Sequence, residues 1–280
     1  MRFIALLLGI FSIAALSRPP DAELGGEHRA PLLPRQEFLH AMGAAYQHLV
    51  TDYFWIQAIQ AVGRAQTAEE YHDVFDYADL TTDLDPGFII VYRFCGPAIP
   101  FNKGREDWVN TEESTRILEK GVRAAPGHVF LRILLAYNLS YFHKQYERAA
   151  RLLEETSKLP GSPRYLPALA TRLYAQAGQV EAGLALARSL YETSDDAETR
   201  QTFERRIKEL ELERTLRTID AAVVAFHRRS GRLPSALEEL VATGDLPAIP
   251  LDPMGGQLIL GTDGSSHSTA LARRLIVYQP

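Results

Sequence analysis

One cysteine in 280 residues, Cys95, excludes an intrachain disulfide. It lies between Phe94 and Gly96 in an apolar stretch and reads as a small core hydrophobe, the common fate of a free cysteine. No cysteine stands at the end of the apolar leader, which excludes a lipid anchor of the bacterial lipoprotein kind. An excess of positive charge is missing as well. Against 35 Asp and Glu stand 30 Lys and Arg, giving a formal charge of −5, and nucleic acid is not an expected partner. The chain has no glycine-rich phosphate loop and no serine elbow. His40 and His48 are eight residues apart without a third ligand in reach, and His72 and His143 stand alone, so no zinc spacing exists. The acidic pairs Asp83/Asp85 and Asp195/Asp196 fall at expected helix ends, where turn and capping roles account for them. No catalytic group, cofactor or metal is expected, and the reading is of a protein that is not an enzyme.

What is present starts with Arg2 and an apolar run from Phe3 to Leu16, interrupted only by Gly9 and Ser12. As a helix the run spans about 21 Å, short of the roughly 30 Å hydrocarbon core. Residues 1–17 fit a secretory signal peptide, with small residues at Ala15 and Ser17 for cleavage after Ser17. The rival reading keeps residues 3–16 as a short membrane anchor. Either one carries residues 18–280 out of the cytoplasm, periplasmic or membrane-anchored and facing the periplasm. Pro19, Pro20, Pro31, Pro34 and the Gly25-Gly26 pair make residues 18–35 an extended linker.

Helical periodicity then takes over. Phe38, Met42, Tyr46, Leu49, Tyr53, Ile56 and Ile59 recur at three- and four-residue steps from Gln36 to Ala65. The run Tyr53-Phe54-Trp55 is too apolar for solvent on any side, which predicts burial between helices or against a partner. Thr67 and Glu70 form a capping box for the next helix, whose buried face is Tyr71, Val74, Phe75 and Ala78 and whose end is Leu84-Asp85-Pro86. From Ala197 to Arg229 no breaker occurs, which predicts one long helix. Its apolar stripes, Phe203-Ile207-Leu210 and Leu212-Leu216-Ile219-Val223-Phe226, are offset between Leu210 and Leu212, so it bends there or changes neighbours. The mixed charges from Glu204 to Arg217 read as a solvated face.

Pro86, Pro126 and Pro160, 40 and 34 residues apart, each close an apolar-periodic segment. With Val74, Ala78 and Thr81 before Pro86, and Tyr92, Cys95 and Gly96 after it, the pattern resembles tetratricopeptide repeats, whose period is about 34 residues. Ser114, Leu118 and Gly121 precede Pro126 on a helix from about Thr111 to Arg123. A third unit has Leu131, Leu135, Ala136 and Leu139, then Tyr146, Ala149, Leu153 and Thr156. A fourth has Leu169, Ala170 and Leu173, then Val180, Gly183, Ala187 and Leu190. Pro97, Pro100, Asn102, Lys103 and Gly104 break the second unit early and lengthen its loop, where Trp108 lies. The resemblance covers roughly residues 51–192. It implies a mainly α fold, a helical solenoid over residues 36–195 capped by the long helix of residues 196–230.

The segment from Phe226 through Gly231-Arg232-Leu233-Pro234 to Leu251-Asp252-Pro253-Met254-Gly255 resembles the region after the long helix in major pseudopilins of type II secretion systems. It implies a small α+β tail over residues 231–280, with Ser235 capping a short helix opposite Glu238 and strands at Gln257–Leu260 and Arg274–Tyr278 around a turn-rich Gly261–Ser268. The pilin methylation motif is absent, and the acidic ligands of a calcium loop are incomplete around Asp252 and Asp263.

The two resemblances imply a scaffold that binds protein partners of the cell envelope, in the setting of a secretion or pilus apparatus; the alternative is a membrane-anchored accessory subunit of a large membrane complex. First helices of such repeats line the concave face, which offers Tyr92, Arg93, Arg132, Tyr137, Asn138, Arg172 and Tyr174 as partner-binding residues, beside Tyr53, Phe54, Trp55 and Trp108. Asn138-Leu139-Ser140 has glycosylation spacing but falls mid-helix.

Overall fold

Apolar residues that recur at helical spacing bury their faces helix against helix. The computed structural model describes residues 30, 31, 33, 34, 47–271, 274 and 275, and it is mainly helical. The leader, most of the linker, residues 36–46 of the expected first helix and residues 276–278 of the expected last strand lie outside the described residues. Among those described, no helix is long and apolar enough to cross a membrane. The chain divides into two compact units with the boundary between Phe142 and His143, inside the stretch expected to be one repeat array.

The first unit contains α1 (Gln47–Arg64), α2 (Ala68–Leu84), α3 (Ile89–Ala98), the strands β1 (Phe101–Asn102) and β2 (Trp108–Val109), α4 (Thr111–Ala124) and α5 (Val129–Tyr141). Thr67 caps α2, accepting from Glu70 N while the Glu70 carboxylate accepts from Thr67 N at 3.1 Å. Asp85 ends the same helix, and its side chain accepts from Gly87 N at 2.9 Å. α1 buries Thr51, Phe54, Ala58 and Ala61, with α2 as its main neighbour. Leu33 of the Pro31–Pro34 segment packs against this pair beside Val50, Tyr53 and Tyr77.

The loop after Pro97 is more than a loop. It folds as an antiparallel hairpin, pairing Phe101 with Val109 and Asn102 with Trp108. Two consecutive residues with positive φ, Arg105 and Glu106, follow Gly104 in its turn.

Helices α3 and α4 meet through glycine. A Cβ on Gly121 would stand 2.7 Å from Cγ of Tyr92, and one on Gly96 would stand 2.7 Å from Cδ2 of Leu118. Lys120 of α4 reaches α2, donating to the Asp79 carbonyl at 2.7 Å and its carboxylate at 2.8 Å, and it pairs with Asp83. Cys95 is fully buried on α3, and burial pushes its thiol up to about 12. A maleimide or disulfide reagent is therefore expected to leave the folded protein unmodified and to label one thiol after denaturation; native labelling at the unfolded rate would contradict this burial.

The second unit contains α6 (Tyr146–Ser157), α7 (Leu166–Gln176), α8 (Val180–Thr193), α9 (Ala197–Ser230), α10 (Leu237–Ala242), β3 (Leu258–Leu260) and β4 (Ser266–Ser268). α9 runs 34 residues, about 51 Å at 1.5 Å per residue. It changes neighbours where its stripes are offset. Phe203 and Leu210 pack with Val180, Leu184 and Ala187 of α8, whereas Ile219, Ala222, Val223 and Phe226 pack with Leu237, Leu240 and Leu246 of the tail. Asp196 caps its start and Gly231, in the left-handed region, ends it.

Several expectations for the tail and its approach need correction. Ala236, not Ser235, stands at the N-cap of α10, and Glu239 rather than Glu238 is the carboxylate that Ser235 engages, through N at 2.7 Å and Oγ at 2.9 Å. Glu239 faces back because Arg232 pairs with it. Gly261–Ser268 is not all turn: Ser266–Ser268 is a strand that pairs with Leu258–Leu260, and Arg274 and Leu275 of the expected last strand are in neither helix nor strand. Leu169, a position of the expected fourth unit, is exposed, because the face of α7 that turns inward carries Ala170, Thr171 and Leu173.

Hydrogen bonds from Arg232 first, then from Ser235, draw the Glu239 carboxyl down to about 2. A folded-state value below the unfolded one means that this corner is stabilised above the ordinary carboxylate range and loses that stabilisation as pH falls towards 2. A carbon-detected titration should place the Glu239 midpoint well below 4, and Arg232→Ala should raise it; an unshifted midpoint in the unaltered chain would contradict the Arg232 contact.

Candidate functional site: an aromatic face on the first unit

Helices α1, α3 and α5 each bury one stripe and leave a second apolar stripe in solvent. On α1 the outward residues are Ile56 and Ile59, with Trp55 half-buried beside them. On α3 they are Ile90 and Phe94, four residues apart, while Val91, Tyr92 and Cys95 point inward. On α5 they are Phe130, Tyr137 and Tyr141, at helical steps of seven and four. Singly exposed apolar residues are ordinary, but rings in contact across neighbouring helices form a patch, and patches mark interaction sites.

The rings meet in three groups. Trp55 meets Phe94 edge-on at 5.5 Å between centroids and Phe88 at 5.8 Å, which links α1 to α3. The Arg93 guanidinium lies 5.1 Å from the centre of the Phe130 ring, which links α3 to α5. Tyr137 and Tyr141 stack at 5.2 Å with planes 12° apart. The β1–β2 hairpin brings Trp108 to the end of this ladder, 5.4 Å from Phe142 and 6.3 Å from Tyr141. The Trp108 indole Nε1 is buried and finds no acceptor among the described residues. Burial raises the Tyr137 hydroxyl above its ordinary value, with Tyr141 adding to the shift.

Of the residues expected to touch a partner, this face holds Arg93, Tyr137, Trp55 and Trp108. Others are not available. Tyr92 is fully buried: its ring fills the space against Gly121, its hydroxyl donates to the Pro86 carbonyl at 3.2 Å, and burial pushes that hydroxyl up to about 12. Asn138 is 3% exposed because its amide belongs to an internal chain of hydrogen bonds. Its Nδ2 donates to Ser114 Oγ at 2.6 Å, and Ser114 Oγ donates to the Gly96 carbonyl at 2.6 Å, so one polar thread ties α5 to α4 and α3. Phe54 is buried against Leu80 and Leu84, and Tyr53 packs at the edge of that cluster beside Leu33. Arg132 is half-buried and donates to the Pro126 carbonyl at 3.2 Å.

Arg172 and Tyr174 belong to the second unit. Arg172 is exposed. Tyr174 is buried and its hydroxyl donates to Glu154 at 2.8 Å, which joins α7 to α6 and leaves no ring surface for a partner. Ile90, Phe94, Phe130 and Tyr141 were missed. Their signal was in the sequence as second apolar stripes on α3 and α5, too many apolar residues for one buried face.

Asp252 and Asp263 spend their carboxylates on turns, Asp252 accepting from Met254 N at 2.8 Å and Asp263 from Ser265 N at 3.0 Å. Among the described residues no group of three His, Cys, Asp or Glu side chains is placed to hold a metal. Compared with known proteins, the chain matches no family model and no curated protein.

Proposed function

We propose that the protein is an exported, non-catalytic scaffold of tetratricopeptide-like helix pairs that binds protein partners of the cell envelope through the aromatic face of its first unit. The observation that carries this reading is the set of exposed and half-buried rings on three helices, with Trp55 against Phe94, Arg93 over Phe130, and Tyr137 stacked on Tyr141. Aromatic residues and arginine are the side chains that most often dominate interface energetics. The glycine-mediated approach of α3 and α4, with Tyr92 filling the gap, supports a repeat architecture. The exit of α9 through Gly231 into a short helix and a hairpin supports a pseudopilin-like tail, and with it a secretion or pilus setting.

Isolation of the native protein from membranes with mild detergent, followed by intact mass, tests the reading. Loss of residues 1–17 together with stoichiometric, co-eluting envelope proteins is the expected result. A full-length, partner-free species in the cytoplasm would overturn it.

A further inference from the structure

Outside the aromatic face, a densely hydrogen-bonded polar cluster lies midway along α9. Glu213 is 1% exposed, at the point where the helix passes from one apolar cluster to the next. A carboxylate taken out of water persists there only if its oxygens are paired. Arg217, one turn on, donates Nε to Oε1 at 3.0 Å. Arg274 forks onto the same carboxylate, Nε to Oε2 at 2.9 Å and Nη2 to Oε1 at 3.2 Å, and its Nη1 donates to Asp220 Oδ2 at 2.6 Å. The other Asp220 oxygen accepts from Ser266 N at 3.1 Å and from Ser266 Oγ at 2.6 Å, which fixes it toward the arginine. The next residue, Leu275, packs on the cluster of Ala175, Val180, Leu184, Ala187, Phe203 and Leu210.

Two acidic residues and an apolar cluster thus accept two consecutive side chains from a segment in neither helix nor strand. We propose that this part of α9 is a docking site for an arginine–aliphatic pair, and that residues 274–275 are a displaceable strap seated in it. Buried ion clusters often add little stability over packed apolar side chains, whereas a buried carboxylate with this geometry selects a guanidinium. The planar fork is what separates arginine from lysine at such a site. Burial works against the charge on Arg274, yet the hydrogen bonds to Glu213 and Asp220 hold its pKa above the ordinary arginine value.

The test uses a fluorescent peptide with the sequence of residues 270–280, titrated into the full chain and read by anisotropy. The full chain carrying Arg274→Ala, its strap loosened, should bind the peptide at least tenfold more tightly than the unaltered chain does. The same peptide with alanine in place of its arginine at position 274 should not bind, and adding Glu213→Gln to the Arg274→Ala chain should abolish binding. Absence of peptide binding to a natively folded Arg274→Ala chain, or equal binding of both peptides, would overturn the proposal. If Arg274→Ala does not fold, Arg274→Lys, which keeps the charge and loses the fork, takes its place with the same expected order.

Discussion

Exchanging Gly121 for alanine should destabilise the protein even though alanine is the better helix former. In an open helix interior the exchange is favourable by about 1 kcal/mol, because glycine gives up more backbone freedom on folding. At position 121 the new Cβ would stand 2.7 Å from Cγ and 3.0 Å from Cβ of Tyr92, the stem of the ring rather than a flexible tip. Tyr92 cannot swing away, since it is fully buried and its hydroxyl is tied to Pro86. Relief requires α3 and α4 to separate, and overpacking of this kind costs about 1–3 kcal/mol. Gly63, on α1 with nothing within 4 Å of its Cβ position, is the control. Gly63→Ala should be neutral or stabilising in denaturant titrations while Gly121→Ala lowers the midpoint. Stabilisation by both would mean that α3 and α4 are not in this close approach.

The second large effect concerns binding rather than folding. Replacing Phe94 and Phe130 by alanine removes the central rings of the exposed ladder, one of which carries the Arg93 contact. Both side chains are exposed, so the thermal midpoint should move little. If the face is an interface, rings at its centre are anchors whose truncation costs about 2 kcal/mol or more each, a loss of about thirtyfold or more per ring in affinity for the co-purified partner. Arg172→Ala, on the exposed surface of the second unit, should leave that affinity unchanged. Equal affinity of the double variant and the unaltered chain would remove the aromatic face from the binding reaction.

Element boundaries in the helical part were legible because caps and breakers carry local chemistry. Thr67 with Glu70, Asp85 before Pro86 and Gly231 after the last apolar stripe all act within one helical turn, so they show in a short window of sequence. The offset between Leu210 and Leu212 was legible for the same reason, and its cause is a change of partner from α8 to the tail. What sequence did not disclose depends on contacts distant along the chain. The β1–β2 hairpin, two residues per strand, is too short for alternation to register. Glu213 sits in a run of mixed charge that reads as solvated, and its burial rests on Arg274, 61 residues later, as well as on the nearby Arg217.

The candidate site was half legible. The resemblance directs attention to Tyr92, Arg93, Tyr137 and Asn138, and the helices that hold them, α3 and α5, carry exposed rings. It does not say which flank of each helix turns outward, and a tyrosine or asparagine at such a position is as able to pack as to bind. Tyr92 and Asn138 are inward because Gly121 leaves room for the ring and Ser114 offers the amide a partner, both from α4. The outward residues lie one or two positions away, at Arg93, Phe94 and Tyr137.

The most direct test of a protein-binding aromatic face is site-specific photo-crosslinking in the native envelope, with a photoreactive phenylalanine placed at Tyr137 and, as control, at the exposed Arg123 of α4. The account predicts one discrete, higher-mass adduct from position 137, lost when Phe94 and Phe130 are also replaced by alanine, and none from position 123. Adducts of equal yield from both positions, or none from position 137 in a fully folded and exported protein, would contradict it.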